Sequence, residues 1–576
     1  MHRFRLWAPN AGKVSLQVAG QKFPLSKHDG GWWEADVDPA RPGMDYAYLL
    51  DDEDLALPDP RSPWQPSGVH GPSRLLDHAA FPWTDVAWEA PPLSAAIIYE
   101  LHIGAFTPEG TLDAAQTKLD YLRELGITHV ELMPVNAFPG IQGWGYDGVD
   151  LFAPHEPYGS PDALKRFVDA CHARSLAVLL DVVYNHLGPD GNYLAKFGPY
   201  FTAAHHTPWG DAVNLEDAGS HEVRRFFCDN ALMWLRDYHF DGLRLDAVHA
   251  WTDRSAINFM EQLATEARAL QAQTGHSYVV IAESDLNDPR LVTATEAGGY
   301  SLDAQWSDDF HHALFTVLTG DRGGYYADFG ALADLAKSLR EVFVYDGRYS
   351  PYRDRIHGRP VRNLPASSFL GYSQNHDQVG NRAKGDRLSS IVTIGRAKIA
   401  AALVLTAPFV PMLFQGEEWA ASTPFQFFTN HNPELGKLVS AGRRKEFAAF
   451  GWNPADIPDP QSPATFQRSK LNWDERRQPP HAEMLDWYRR LIAFRLSTPD
   501  LTDPDLAHVR VRCSEDEQWL VMERGSVTVA FSLALQPIHL EVRPGSTIAL
   551  ASTPDIQLNN NALTLPPDAV AVLTSE

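Results

Sequence analysis

Three features of the sequence predict an α/β protein, a (β/α)8 TIM barrel flanked by an N-terminal β-sandwich and a C-terminal β domain. Short apolar runs alternate with amphipathic segments through the middle of the chain. Ionisable residues gather at one end of four of those runs. Both chain ends carry alternating, turn-rich stretches instead. The 576 residues leave room for about three domains. The texture changes divide the chain at 1–90, 91–498 and 499–576.

In residues 1–90, Phe4 and Leu6, then Val14, Leu16 and Val18, alternate with polar or small residues, the pattern of half-buried antiparallel strands. Trp32, Trp33, Tyr46 and Tyr48 add aromatic strand character. The proline-rich stretch from Pro58 to Pro92 has no sustained periodicity and reads as an irregular linker. Eight barrel strands are expected at Ala96–Leu101, Thr128–Met133, Ala177–Val183, Gly242–Asp246, Tyr278–Glu283, Ser301–Trp306, Phe369–Ser373 and Val410–Gln415. Amphipathic segments between them include Asp113–Leu125, Asp162–Arg174, Glu222–Tyr238 and Arg254–Ala272. After Thr498 strands return at Trp519–Met522, Val527–Phe531, Ile538–Val542 and Ala569–Leu573.

Composition narrows the function. The net charge of −24 repels phosphate backbones and anionic lipid, so neither nucleic acid nor a membrane is an expected partner. A neutral sugar is indifferent to that field. No apolar run approaches the ~20 residues that span a bilayer. The start, MHRFRLWAPN, lacks the apolar centre of a signal peptide, which makes the cytoplasm the expected location. Cys171, Cys228 and Cys513 have no metal-type spacing and imply no disulfide framework.

Catalytic residues of such a barrel come from the C-terminal ends of several strands. Here the third run ends in DVVYNH (Asp181 to His186), the fourth in DGLRLDAVH (Asp241 to His249), the fifth in VVIAES (Val279 to Ser284) and the seventh in YSQNHD (Tyr372 to Asp377). A lone Asp near a strand end is commonly a turn or cap residue, and a lone His is commonly structural. Four strands delivering such residues at the same end point to a site. Retaining glycoside hydrolysis needs two facing carboxyl groups, one to attack the anomeric carbon and one to protonate the leaving oxygen. Asp246 and Glu283, on adjacent strands, can converge across the barrel mouth. Arg244, two residues before Asp246 on the same face, can keep that carboxylate ionised. The apolar approach VVIA suits an acid that must stay protonated. A buried guanidinium also requires an acidic partner.

These four motifs in order resemble the signature regions of the α-amylase superfamily of glycoside hydrolases, over roughly residues 95 to 500. The resemblance implies that Asp246 is the nucleophile, Glu283 the acid/base and Asp377 a third carboxylate gripping sugar hydroxyls. It implies that Arg244, His186 and His376 surround the reacting glucose, that Asp181 is a structural acid, and that Tyr146 and Asp147 of GWGYD stack on and bond the same ring. FRLWAPNAGKVSLQV is similar to the immunoglobulin-like domain preceding some members. AESDLNDPR (Ala282 to Arg290) and FQGEEWAASTPFQFFTNH (Phe414 to His431) resemble the branch that releases trehalose from maltooligosyl trehalose by cleaving the adjacent α-1,4 bond. An acidic residue would be expected there at Asn430. Maltooligosyl trehalose and related α-glucans are thus the expected partners. His249, Trp251, Asp285, Glu417 and Glu418 are expected substrate contacts by their proximity to the motifs. Trp144, Trp209, Trp306 and Trp419 could stack on glucose, though each alone is more simply a packing residue. No metal site is recognisable, and hydrolysis by two carboxylates needs no cofactor. The alternatives are a glucan branching or debranching enzyme, a non-catalytic glucan-binding protein and a metal-dependent barrel hydrolase.

Overall fold

The computed structural model describes residues 2–575 except 52, 450 and 451. Its centre is a closed barrel of eight parallel strands in sequence order. They are β1 (Ile98–Leu101), β2 (His129–Leu132), β3 (Ala177–Val182), β4 (Gly242–Leu245), β5 (Val279–Ala282), β6 (Ala304–Trp306), β7 (Phe369–Gly371) and β8 (Val410–Phe414). Each lies within the corresponding expected run. Helices α1 (Pro161–His172), α2 (Ser220–Asp237), α3 (Phe259–Thr274), α4 (Asp308–Thr319) and α5 (Ile394–Thr406) lie between strands, and α6 (Pro433–Ala449) and α7 (His481–Ser497) follow β8. The α3 helix starts later than Arg254 because Asn258 caps it, accepting from the Met260 N–H, while Asp253 holds the approach by accepting from the Phe259 N–H.

Side chains, not solvent, fill the barrel. Ile98, Leu179, Ile281, Leu370 and Met412 belong to an apolar cluster at its centre. The strands advance in register, so Asp181 lies beside Arg244 and Arg244 beside Ile281. Two residues further on, the period of two brings Asp246 and Glu283 onto the inward face at the mouth. Close packing of β4 on β5 depends on Gly242, where a Cβ would stand 2.4 Å from the Val279 carbonyl oxygen.

At the N-terminal end a three-stranded sheet (His2–Trp7, Trp32–Val37, Ser26–Lys27) and a four-stranded sheet (Gln21–Pro24, Val14–Val18, Asp45–Leu50, Ser73–Arg74) bury Phe4, Leu6, Leu16, Tyr46 and Tyr48. The tail forms a five-stranded and a three-stranded sheet. It includes Val509–Ser514 and Thr547–Ala551, strands the sequence did not reveal; Thr547–Ala551 has no fully buried residue and therefore no strong alternation. All three cysteines are free thiols. Among the described residues no helix is long and apolar enough to cross a membrane.

Candidate active site

Arg244 is the hub of the mouth. Its side chain is fully buried, and its Nη1 donates to both Asp181 carboxylate oxygens and to Asp246 Oδ1, each at 2.8 Å. Its Nη2 lies 3.4 Å from Glu283 Oε2. The guanidinium rests over the Trp306 ring, 4.4 Å from its centroid. Trp306 is thus a floor for the arginine and itself buried, which removes it from sugar stacking. One cation therefore touches three carboxyl groups from three strands.

Immediately after Asp246 the chain turns at Ala247, whose φ of 45° is left-handed. That turn aims the Ala247 N–H at Glu283 Oε2, 2.5 Å away. Burial raises the Glu283 pKa, Arg244 pulls it down, and the Asp246 and Asp377 charges push it up again; the net shift is upward. With Oε2 occupied by the Ala247 N–H and Arg244, a proton on Glu283 belongs on Oε1.

A second chain of hydrogen bonds enters from β1 and β7. His376 Nδ1 lies 2.5 Å from Glu100 Oε1, and the His376 N–H donates to Glu100 Oε2 at 2.9 Å. His376 Nε2 lies 2.7 Å from the Tyr146 hydroxyl, which donates onward to Asp181 Oδ2 at 2.6 Å. Tyr146 has one proton and gives it to Asp181, so His376 Nε2 must donate; both ring nitrogens then carry protons. Burial would lower the His376 pKa, but Glu100 and Asp377 outweigh it and push it up to about 9. Asn375 caps the short helix His376–Gly380, which leaves Asp377 facing the cleft with 37% of its side chain exposed and Asn381 Nδ2 donating to Oδ1 at 3.1 Å.

His186 is neutral, its pKa lowered by burial, and its Nε2 donates to the Tyr146 carbonyl at 3.1 Å. Its ring lies 4.6 Å from the exposed Trp209 ring at 3°, so Trp209 is the tryptophan that presents a face at the cleft. Asp147 is partly exposed, 3.4 Å from His431 Nε2. Beyond Glu283, Asp285 pairs with Arg353 at 3.0 Å; burial raises its pKa, but His249 and Arg353 together hold it below the usual carboxylate range. His249 lies close enough to Glu283 to act on its charge. Trp251 is half-buried against Phe259, and its ring packs there rather than on the carboxylates.

Two expected contacts fail. The structure does not bring Glu417 and Glu418 to the cleft. Gly416, at φ 83°, turns the chain outward after β8, and both glutamates are buried behind the barrel wall. Glu418 Oε1 accepts from the Tyr99 and Tyr121 hydroxyls at 3.1 and 2.9 Å, and Glu417 Oε1 from Tyr488 at 3.0 Å. Burial pushes their carboxyls up to about 7 and about 8, respectively. Trp419 is equally buried, and so is Trp144, stacked on Phe425. At Asn430, where an acid was expected, the side-chain carbonyl accepts from the Ile141 N–H at 3.0 Å, an acceptor role that needs no charge. Glu100 and Arg353 escaped the sequence reading. Glu100 had a signal, a single acid inside the apolar run IIYEL, of the same kind that singled out Arg244. Among the described residues no cluster of His, Cys, Asp or Glu is arranged to hold a metal ion.

Comparison with known proteins places this geometry. Residues 72–205 match the α-amylase catalytic domain, and residues 504–572 a C-terminal domain of unknown function. The chain is 51% identical to the malto-oligosyltrehalose trehalohydrolase of Rhizobium sp. (strain M-11), over 99% of this chain and 97% of that one. It is 50% identical to the protein of that name from Mycobacterium tuberculosis, over 98% of each. A crystal structure from Salmonella typhimurium, provisionally described as an α-amylase, superposes with a TM-score of 0.91 at 37% identity, covering 100% of this chain and 97% of that one.

Proposed function

Because the chain belongs to the malto-oligosyltrehalose trehalohydrolases, glycoside hydrolases of the α-amylase family, we propose that it cleaves the α-1,4 bond next to the terminal trehalose of maltooligosyl trehalose, with Asp246 as nucleophile and Glu283 as acid/base. The observation that carries the residue roles is the single Arg244 guanidinium in contact with both carboxyls. Its Nη1 donates to Asp246 Oδ1 at 2.8 Å, while burial favours a protonated Glu283.

In the first step Asp246 attacks C1 of the glucose beside the trehalose unit. Glu283 Oε1 passes its proton to the departing glycosidic oxygen, and trehalose leaves. The covalent glucosyl ester is then hydrolysed by a water that gives its proton to Glu283. Tyr146 and His186 frame the reacting ring. Asp377 accepts hydrogen bonds from its hydroxyls more strongly as the ring flattens toward the oxocarbenium-like transition state. The leaving side is the Glu283 side, where the Asp285–Arg353 pair, His249 and Trp251 offer fixed polar and aromatic groups to the departing disaccharide. The division at 90 and 498 assigns this chemistry to the central unit.

The test is product analysis. Maltooligosyl trehalose should yield free trehalose and a shortened maltooligosaccharide released as the α-anomer, while plain maltooligosaccharide is cut much more slowly. Equal rates on both substrates would make the protein a general glucan hydrolase. Release of the β-anomer would remove the covalent mechanism.

A further inference from the structure

Two loops flank the carboxyls at the barrel mouth. The first follows β3 and is a hairpin of Phe201–Thr207 and Gly210–Val213, with Trp209 at its turn stacked on His186. The second follows β4 and carries His249 and Trp251 past Glu283. One side chain behind them reaches both. Arg224, early in α2, is buried, and all five of its N–H groups are taken. Nε donates to the carbonyl of Leu215, two residues past the hairpin, at 2.7 Å. Nη1 donates to the Ile257 carbonyl at 3.0 Å and to Gln262 Oε1 at 3.2 Å. Nη2 donates to Asp253 Oδ2 at 2.6 Å and to Ser255 Oγ at 2.8 Å. The buried Asp253 carboxylate in turn accepts from the Ser255 and Phe259 N–H groups at 2.9 and 2.6 Å, and Phe259 packs on Trp251 with ring centroids 5.4 Å apart. Nearer the surface Glu216 joins the same two loops. Its Oε1 accepts from Arg254 Nε at 2.9 Å and lies 3.0 Å from His205 Nε2 in the hairpin, and its Oε2 accepts from the Arg254 N–H.

We infer that Arg224 is a positioning residue: with Glu216 and Arg254 as an outer tie, it sets the Trp209 hairpin and the His249–Trp251 loop against each other and so holds the cleft at its working width. Residues 252–257 form no regular element, and the hydrogen bonds that tie them to the body of the protein run to Arg224, Glu216 and His205. Without those bonds the loop has little else to fix it. The helix itself does not need Arg224, because Val223, Phe226, Phe227 and Ala231 already bury its apolar face. A rigid planar fork that bonds three separate stretches fixes their relative geometry, which a single ammonium cannot do. The tie between the loops stands on geometry alone; its effect on substrate rests on the proposed function.

The experiment pairs hydrogen exchange with kinetics on the full chain. In Arg224→Lys, amide exchange in residues 201–213 and 249–258 should quicken together by about tenfold or more, with the barrel strands unchanged. On maltooligosyl trehalose the same variant should raise KM by about five- to tenfold and change kcat far less, because Arg244 holds Asp246 and Glu283 independently of the loops. Arg254→Ala alters a side chain that is 73% exposed, so it tests the outer tie without threatening the fold, and it should loosen the same two stretches and raise KM by about two- to threefold. Folded variants in which only one loop loosens, or neither, overturn the inference. So does a KM at the wild-type value while both loops exchange faster, or a lowered thermal midpoint as the sole effect. If wild-type protein releases no trehalose, the functional reading fails by itself. The tie is then judged by exchange and by the affinity of Asp246→Asn protein for plain maltooligosaccharides, with and without Arg254→Ala, and no change in either overturns it.

Discussion

Replacing Glu100 with Gln keeps the shape of the β1 side chain and removes the charge that holds His376 protonated. His376 lies at about 9 against an ordinary 6.5. That rise of about 2.5 units is worth roughly 3 kcal/mol between the two protonation states. Without Glu100 only Asp377 still opposes burial and Arg244, so the imidazole should titrate well below its present value. A neutral His376 that still donates from Nδ1 has an acceptor at Nε2. Tyr146 would then face two acceptors, His376 and Asp181, with a single proton, and one of its two hydrogen bonds must go. The expected result is a basic limb of the kcat/KM profile that moves from near pH 9 toward lower pH, with activity lost progressively on its alkaline side. Stability carries the same signature. The folded pKa exceeds the unfolded one, so the His376 contribution is complete below pH 6.5 and drains away as pH rises through about 9. Wild-type protein should lose roughly 3 kcal/mol over that interval from this group, and the variant should not. Urea titrations and initial rates across pH 6–10 measure both. A folded Glu100→Gln protein with an unmoved basic limb would show that His376 is not the titrating group.

Asp246→Asn should abolish turnover by several decades and leave the thermal midpoint nearly unchanged, since the proposed covalent step needs its carboxylate; substantial residual activity in folded protein removes Asp246 from the nucleophile role. Glu418→Ala should cost about 2–5 kcal/mol by leaving the Tyr99 and Tyr121 hydroxyls unpaired around a cavity, read as a lowered denaturation midpoint. The same variant should keep the wild-type preference for the trehalose-ended substrate, and a changed preference would return Glu418 to the binding surface.

The barrel was legible because burial on both faces makes each parallel strand a continuous apolar run, with turn signals and helical periodicity between. Only its limits drifted, as at Ser301–Trp306, where pairing begins at Ala304. The carboxylates could be read because period-two alternation fixes which strand-end residues face inward, and an acid or arginine inside an apolar run has few structural uses. Residues after the strands obey no such rule. Glu417 and Glu418 stand three and four residues past the end of β8, and the positive φ of Gly416 sends them out of the cleft. Arg353 and His431 come from long insertions whose folding back onto the mouth has no periodic signature. In the tail, Val509–Ser514 was missed although VRVRC alternates, and Thr547–Ala551 because its small and half-exposed residues give a weak pattern.

The sharing of Arg244 has a consequence for the timing of proton transfer. While Asp246 is ionised, its charge works against ionisation of Glu283 and keeps a proton there for the departing sugar. In the proposed mechanism Asp246 becomes a neutral ester, and the guanidinium, 3.4 Å from Glu283 Oε2, then has one competitor fewer. Glu283 then faces a net attraction for negative charge and becomes the stronger acid, left deprotonated to accept a proton from water. Under that mechanism the covalent state of one carboxyl would set the proton affinity of the other, and the same side chain would serve as donor in one half-reaction and acceptor in the next without either group moving.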